Sequence, residues 1–397
     1  MRTLALRRGE DRRLRAGHLW VFSNEVDVAK TPIAAFRPGE EALVTDSHGA
    51  PLGCALVNPA TLICARIYSR RPGVAFDADL IASRVADALA LRGRLYDGPW
   101  YRLVFGEGDS LPGLVVDRFG SHLAVQVTTA GMEVHRKELS EVLHDLLKPA
   151  SIFWDNSIAS RALEGLAGES TFESADGTPL PDTLEVPENG CTYAFSTLGG
   201  QKTGWYYDQR ENRARAATFC KDADVLDAFS YVGGFGVAAA RAGARSVAFL
   251  DASAPALELA KENLGRNAPA CPGDFLCGDA FDTLKRLAVD GRTFDVVSID
   301  PPAFIKRRRD MKQGLEAYRR LNTLAAGLVR EGGLLVSSSC SQLLSADELR
   351  SAVAHAAARH GLQPRILHAG FQGPDHPVHA SMPETAYLKC LMVQLHR

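Results

Sequence analysis

Two short phrases in the C-terminal half of this 397-residue chain carry residue types that can do chemistry: Asp300-Pro301-Pro302 and Ser339-Cys340-Ser341. Each follows an apolar run that reads as a buried strand, Phe294 to Ile299 and Gly333 to Ser338, and Met311 to Val329 between them reads as a helix. In an open parallel sheet such strands are neighbours or near-neighbours, and ligands bind beyond their carboxyl ends. Asp300 and Cys340 are therefore expected to face one crevice. A carboxyl there can hydrogen-bond to, or exchange a proton with, a ring nitrogen. A cysteine is nucleophilic as its thiolate, of which an ordinary thiol with a pKa near ~8.5 offers little at neutral pH.

More acids follow at neighbouring strand ends. Asp251 ends the strand from Ser246, and Asp279 follows the strand from Asp274 to Cys277. Before them, the strand Val225 to Phe229 runs into the glycine turn Ser230-Tyr231-Val232-Gly233-Gly234-Phe235-Gly236. Glycine lets a backbone approach a nucleotide, although the spacing is not Gly-x-Gly-x-x-Gly. Acids at successive strand ends are costly unless a ligand or water satisfies them. Asp251 stands where an acid binds ribose hydroxyls, whereas Asp279 also fits a helix N-cap. Such a crevice opposes a phosphate-rich ligand and suits one with hydroxyls, an amine and a cationic centre, which describes S-adenosylmethionine better than NAD. Beside a methyl donor a cysteine has a chemical reason. Carbon 5 of cytosine is a poor nucleophile until a thiolate adds at carbon 6 and makes an enamine. The residues alone leave Cys340 either in that role or as a small core residue.

The elements that must position these groups divide the chain into three. Residues 1–72 show short strands spaced by Gly and Pro, the pattern of a small β-barrel. Residues 73–180 read as a small α+β domain, with helices from Asp79 to Tyr96 and from Met132 to Leu147. Residues 181–397 alternate strand and helix, as in a doubly wound α/β domain, and close with a long strand from Ala386 to Leu395 expected to be antiparallel at or near an edge. The net charge of -2 means that any nucleic-acid contact rests on local clusters. One is the arm holding Arg12, Arg13 and Arg15; the other is Lys306-Arg307-Arg308-Arg309. Each is either a solvated face or a set of phosphate contacts. The eight cysteines show no metal spacing, so no metal is expected, and their scatter suits a reducing, cytoplasmic setting. No apolar segment approaches the ~18 residues of a membrane span, and the N-terminus lacks the apolar core of a signal peptide.

The motifs Asp227-Ala228-Phe229-Ser230-Tyr231-Val232-Gly233-Gly234-Phe235, Asp300-Pro301-Pro302-Ala303-Phe304 and Ser339-Cys340-Ser341 resemble those of one class I methyltransferase family. That family couples an N-terminal PUA domain to a Rossmann-like methyltransferase domain and methylates carbon 5 of cytosine in large-subunit (23S) ribosomal RNA. Gly200 to Arg210, Asp375-His376-Pro377-Val378, His18 to Ser23 and Gly106 to Leu114 extend the resemblance nearly end to end. It implies that Phe229, Ser230, Gly233, Asp251, Asp279 and Asp300 line an S-adenosylmethionine pocket, with Lys202 and Thr203 closing over it. It makes Cys340 the nucleophile and sets Pro302 or Phe304 against a flipped base. The arginines of the PUA-like front gain an RNA-binding reading. The implied partner is ribosomal RNA, with no membrane, and a homodimer is one option for the assembly.

The chain departs from the family at Val232, where Thr is frequent, at Ala303, where Lys is common, and at Asp155-Asn156-Ser157. No cysteine follows Asp300-Pro301-Pro302, unlike RNA cytosine methyltransferases that use two, so the base that removes the carbon-5 hydrogen is unassigned. Two rivals stand beside this reading. One is methylation of another RNA base atom with Cys340 structural; the other is a non-catalytic RNA-binding or ribosome-assembly protein.

Overall fold

The computed structural model describes residues 1–174, 177–197 and 204–397, and their contacts divide them into two units. The first comprises Met1–Asp182 with Pro374–Thr385. Its front is a five-stranded sheet in the order Arg2–Ala5, Glu40–Thr45, Pro51–Val57, Ile63–Ser69, Trp20–Phe22. An antiparallel bridge between Leu6 and Val26 ties the chain just beyond the two edge strands, so the sheet curls closed. A second five-stranded sheet runs Thr171–Ser174, Ser151–Trp154, His122–Val127, Leu114–Phe119, Trp100–Phe105, with helices Ala78–Leu95 and Arg136–Leu147. Leu56 and Tyr68 of the first sheet share a buried cluster with Ile81, Val85 and Val116 of the second part, so the two pack as one body.

Pro374–Thr385 corrects the expected extent of the third domain, since its contacts place it in the first unit. The reason is polar and buried. The Arg92 guanidinium, fully enclosed, pairs with Asp109 at 2.5 and 2.8 Å and donates to the Asp375 carbonyl at 2.6 Å. The Asp375 carboxylate accepts from the Arg102 backbone at 3.0 Å and from His376 at 2.8 Å.

The second unit, 183–197, 204–373 and 386–397, holds one seven-stranded sheet. Its strands are β1 (Asp224–Ala228), β2 (Ser246–Asp251), β3 (Gly273–Cys277), β4 (Phe294–Ile299), β5 (Val329–Ser339), β6 (Gln363–Gly370) and β7 (Lys389–His396). The order is β3-β2-β1-β4-β5-β7-β6, with β7 antiparallel to both neighbours. The final strand is thus one place in from the edge; the edge is β6, a largely exposed strand carrying Pro364. A proline and exposed charge suit an edge and mask it in sequence. The helices are α1 (Arg210–Ala217), α2 (Gly234–Arg241), α3 (Ala254–Asn267), α4 (Ala280–Val289), α5 (Met311–Ala326) and α6 (Ala346–Arg359). Here α5 stops short of Val329, which opposite Phe294 opens β5. The strand order reverses at β1, and a ligand crevice lies at such a switch point.

A hairpin, Thr183–Glu188 with Cys191–Ser196, precedes this sheet. Its two-residue turn is Asn189-Gly190 with φ of 51° and 77°, left-handed at both positions as the type I′ turn requires. Fully buried Asn263 on α3 clamps the hairpin. Its amide accepts from the Ala194 N–H at 2.7 Å and donates to the Ala194 and Val232 carbonyls at 3.0 Å each. Asn263→Ala strands three buried backbone groups and should cost about 3 kcal/mol, since each lost partner carries a desolvation penalty of ~1–3 kcal/mol. Urea unfolding should show this in the transition that exposes α3; an unchanged midpoint would refute the clamp.

Candidate active site

The carboxyl ends of β1, β2 and β4 each deliver an acid. Asp227 sits inside β1, fully buried, and accepts the Gly236 N–H at 2.7 Å, which pins the first turn of α2 to the strand. Between them the chain turns sharply. Phe229 and Tyr231 are left-handed at φ 62° and 52° and Gly233 at 90°. Non-glycine residues held there store strain of ~1–3 kcal/mol each, a frequent mark of a ligand site. Gly233 is obligatory on a second count, because a Cβ would lie 3.0–3.3 Å from Val237, Phe249 and Ala260. Asp251 ends β2 and braces this loop, accepting from the Tyr231 and Ser253 N–H groups at 2.9 Å each. The Ser230 hydroxyl beside them is buried and has no partner among the described residues. Phe229 is half-buried against the core.

Asp279 is exposed and caps α4, accepting from the Asp282 N–H at 3.1 Å. One carboxylate oxygen is therefore committed to the helix, which limits its expected part in the pocket. Lys202 and Thr203 lie outside the described residues.

Asp300, half-buried just past β4, accepts from the Gln209 side chain at 2.9 Å. Burial, and then the charge of Asp208, push its carboxyl up to about 7. Asp227 also rises to about 7, through burial and repulsion from Asp300 and Asp251, against the Gly236 hydrogen bond. Both hold protons in the fold that an unfolded carboxyl releases near pH 4. Between about pH 4 and 7 the unfolded chain therefore binds fewer protons, and rising pH destabilises the ligand-free protein.

Cys340 follows β5, parallel to β4 with Ile299 opposite Ser337. Two serines fix its backbone. The Ser339 hydroxyl donates to Tyr318 at 2.8 Å and accepts from the Ser341 N–H at 3.2 Å. The Ser341 hydroxyl donates to the Ile305 carbonyl at 2.7 Å, which ties the loop after Asp300 to the loop bearing Cys340. The register and this bond bring the Asp300 and Cys340 loops to one corner, where burial first, and then negative charge on Asp300 and Cys340, raise the hydroxyls of Tyr206 and Tyr318. Pro302 is exposed, whereas Phe304 is half-buried between Phe281 at 6.0 Å and Tyr318 at 4.9 Å.

Two residues of the arginine arm already carry ion pairs. Arg13 pairs with Glu25 at 2.7 Å and lies over Phe22, and Arg15 bridges Asp11 at 2.5 Å and Asp46 at 2.6 Å. Both are ion-paired within the first unit, while Arg15 remains exposed, as are Arg7, Arg8 and Arg12, which have no carboxylate within ion-pair distance among the described residues. Lys306 to Arg309 are all exposed, with Asp310 at 3.7 Å from Arg309. Sequence reasoning did not single out Gln209, Asp227 or Lys389. The first two stand in quoted motifs, and Lys389 is the one cation in the apolar closing strand. No helix of the described residues is long and apolar enough to cross a membrane, and no metal-holding group of His, Cys, Asp and Glu occurs among them.

The matched families agree with this geometry. Residues 4–70 match the PUA-like domain, and residues 146–379 match the S-adenosylmethionine-dependent methyltransferases. Proteins named ribosomal RNA large subunit methyltransferase I are similar over nearly the whole length. The one from Cronobacter sakazakii is 36% identical over 97% of both chains, and that of Tolumonas auensis 35% over 99% of both. The chain belongs to the ribosomal RNA large subunit methyltransferase I family. Its methyl donor is S-adenosylmethionine. The fold agrees with a methyltransferase solved in complex with SAH (TM-score 0.84, 19% identity, 99% of this chain and 100% of that one). It agrees equally with a methyltransferase from Streptococcus mutans (TM-score 0.83, 18% identity, the same coverage). The family's donor fits this site: a buried hydroxyl without a partner, a glycine cradle and several carboxyls await a ligand with hydroxyls and positive charge.

A cation brought to Asp227 and Asp300 lowers their pKa and expels the protons they hold near pH 7. Calorimetry of S-adenosylmethionine binding in two buffers of different ionisation enthalpy should therefore reveal release of about half a proton or more at pH 7. Asp300→Asn should reduce that release. Binding with no proton exchange would place the cationic centre away from these carboxyls.

Proposed function

We propose that this protein methylates carbon 5 of a cytosine in large-subunit (23S) ribosomal RNA through a covalent adduct with Cys340. One observation carries the reading: Cys340 and Asp300 stand at the ends of adjacent parallel strands, their loops joined by the Ser341 hydroxyl on Ile305. The relatives' name supplies the RNA class, and the PUA-like front is a module suited to docking it.

In this reading Phe229, Ser230, Gly233 and Asp251 hold the donor, with Asp300 at its cationic end, Asp279 at the margin, and Lys202 and Thr203 closing over it. Bound S-adenosylmethionine supplies an electrophilic methyl group. The Cys340 thiolate adds to carbon 6 of the base, and the displaced π electrons move toward the ring nitrogen. As charge develops on that nitrogen, Asp300 accepts from the exocyclic amine or, on regaining a proton, donates it to the nitrogen and stabilises the charge. Carbon 5 of the enamine takes the methyl group as the bond from methyl to the sulfonium sulfur breaks, and transfer of the carbon-5 proton to a base then reforms the ring double bond and expels the Cys340 thiolate. Pro302, exposed beside Asp300, is the better wall for a flipped base, because Phe304 is held between two other rings.

RNA bearing 5-fluorocytosine at the target should trap the adduct, since fluorine cannot leave as a proton does. A slow band on a denaturing gel should require both Cys340 and the donor. Cys340→Ala should abolish turnover while S-adenosylmethionine still binds. Near-normal methylation by Cys340→Ala would instead favour another base atom, and binding of RNA without any methylation would favour an assembly role.

The exposed cations provide a second check. RNA affinity should fall steeply with salt. Neutralising Lys306, Arg307 and Arg308 together should flatten the logarithmic slope by about 2, as should neutralising Arg7, Arg8 and Arg12. Neutralising Arg13 and Arg15, already paired, should change it less. Equal slopes in all variants would make these clusters ordinary solvated faces.

A further inference from the structure

Lys389 opens β7 directly opposite Ser339 in the antiparallel register with β5. Its ammonium reaches back along that strand end, donating to the Ser341 carbonyl at 2.6 Å and the Tyr387 carbonyl at 2.8 Å. The backbone of Lys389 thus faces the residue before Cys340, and its charge sits on the carbonyl of the residue after it. The side chain is half-buried, and no carboxylate among the described residues lies within ion-pair distance. An ammonium taken from water onto two neutral carbonyls is costly unless a negative group shares the site.

The titratable groups facing it come from several elements. Cys340 follows β5, and Glu348 lies on the first turn of α6, where the Ser345 cap holds its carboxylate at 2.7 and 2.9 Å. Across the corner stand Asp300, Tyr206 and Tyr318, and burial keeps both tyrosines neutral. Glu348 and Asp300 are acids and oppose ionisation of the thiol. Lys389 supplies the positive charge.

We propose that Lys389 is a positioning residue that keeps Cys340 ionised. Its ammonium, fixed by the Ser341 and Tyr387 carbonyls, offsets the thiolate before RNA binds and again when the thiolate is expelled. Burial presses Lys389 down to about 8, while charge on Cys340 and Glu348 pulls it up. Above that pH the amine is neutral and the offset is lost; below it the pair persists as ammonium and thiolate until the thiol regains its proton. The inference rests on the cytosine reading only in taking Cys340 as the nucleophile.

The test follows Cys340 alone. The full-length protein, without RNA, is treated with iodoacetamide from about pH 6 to about pH 9, and alkylation of the Cys340 peptide is measured by mass spectrometry. The wild-type rate should titrate with a midpoint below that of an ordinary thiol, ~8.5. Lys389→Met should raise that midpoint by about one unit, a roughly tenfold slower reaction at pH 7, while Lys389→Arg retains most of the depression. S-adenosylmethionine affinity should be unchanged in both. A merely structural lysine would alter the rate of both variants without moving the midpoint. Identical midpoints in wild type and Lys389→Met overturn the proposal. So does a wild-type midpoint at or above ~8.5, which needs no variant to fold. The two readings fail separately. A depressed thiol with no 5-fluorocytosine adduct sinks the cytosine chemistry; an adduct with an unmoved midpoint removes Lys389 alone.

Discussion

A buried ion pair underlies the chemistry of the second unit. Glu188, at the end of the hairpin's first strand, accepts from Arg213 at 2.6 and 2.8 Å, from Trp205 at 2.9 Å and from Arg210 at 3.4 Å. Arg213 also lies 4.5 Å over the Trp205 ring and donates to the Tyr206 carbonyl at 2.8 Å. Removing two such charges from water costs several kcal/mol per ion, so the pair is a poor device for stability alone. Its effect is felt elsewhere. The Arg213 charge draws Asp227 and Asp300 a little way back toward ionisation, against their burial and against repulsion from Asp300 and Asp251 on the one and from Asp208 on the other. A guanidinium anchored by Glu188 thus allows several carboxyls to crowd the carboxyl ends of β1, β2 and β4 while two of them titrate near neutrality.

What was legible in sequence followed from periodicity and from position at strand ends. Apolar runs ending in Asp251, Asp300 and Ser339 placed those residues at one edge of a parallel sheet, and Asp300 and Cys340 were found together there. Groups whose role depends on a partner distant in sequence were not legible. Gln209 acts on Asp300 across 91 residues, and Lys389 on Ser341 across 48. The pairing of the arginine arm was hidden for a similar reason. Glu25 and Asp46, 12 and 31 residues away, pair with Arg13 and Arg15, and of their ion pairs only that of Arg15 with Asp11, four residues back, is local. Edge strand β6, with its proline and exposed side chains, offers little periodicity to read. Pro374–Thr385 lies between strands of one unit in sequence, yet Arg92 and Arg102 bind Asp375 in the other.

Precision at Cys340 comes from its neighbours. A thiol has few hydrogen bonds with which to fix itself, so its backbone must be held by other groups. Ser339 and Ser341 do so through Tyr318 on α5 and the Ile305 carbonyl after β4, and buried Tyr318 adds a ring contact with Phe304. The same contacts hold half-buried Phe304 in place. With rings on either side and its loop tied to Ser341, its orientation is set before any base arrives.

Asp300 is asked to do two things that compete: to meet a cation it must be ionised, and to donate to a ring nitrogen it must hold a proton. A carboxyl near 7 is poised between them, and its hydrogen bonds assign the two oxygens. The Asn212 amide donates to the Gln209 carbonyl oxygen at 2.7 Å, so the Gln209 NH₂ end is the one turned to Asp300 Oδ1. With Oδ1 committed as an acceptor, a proton on this carboxyl belongs on Oδ2. Asn212 donates in turn to the Phe371 carbonyl at 3.2 Å, which fixes the amide at its far end. Two amides with no acid–base chemistry of their own thereby decide which face of Asp300 can give up a proton.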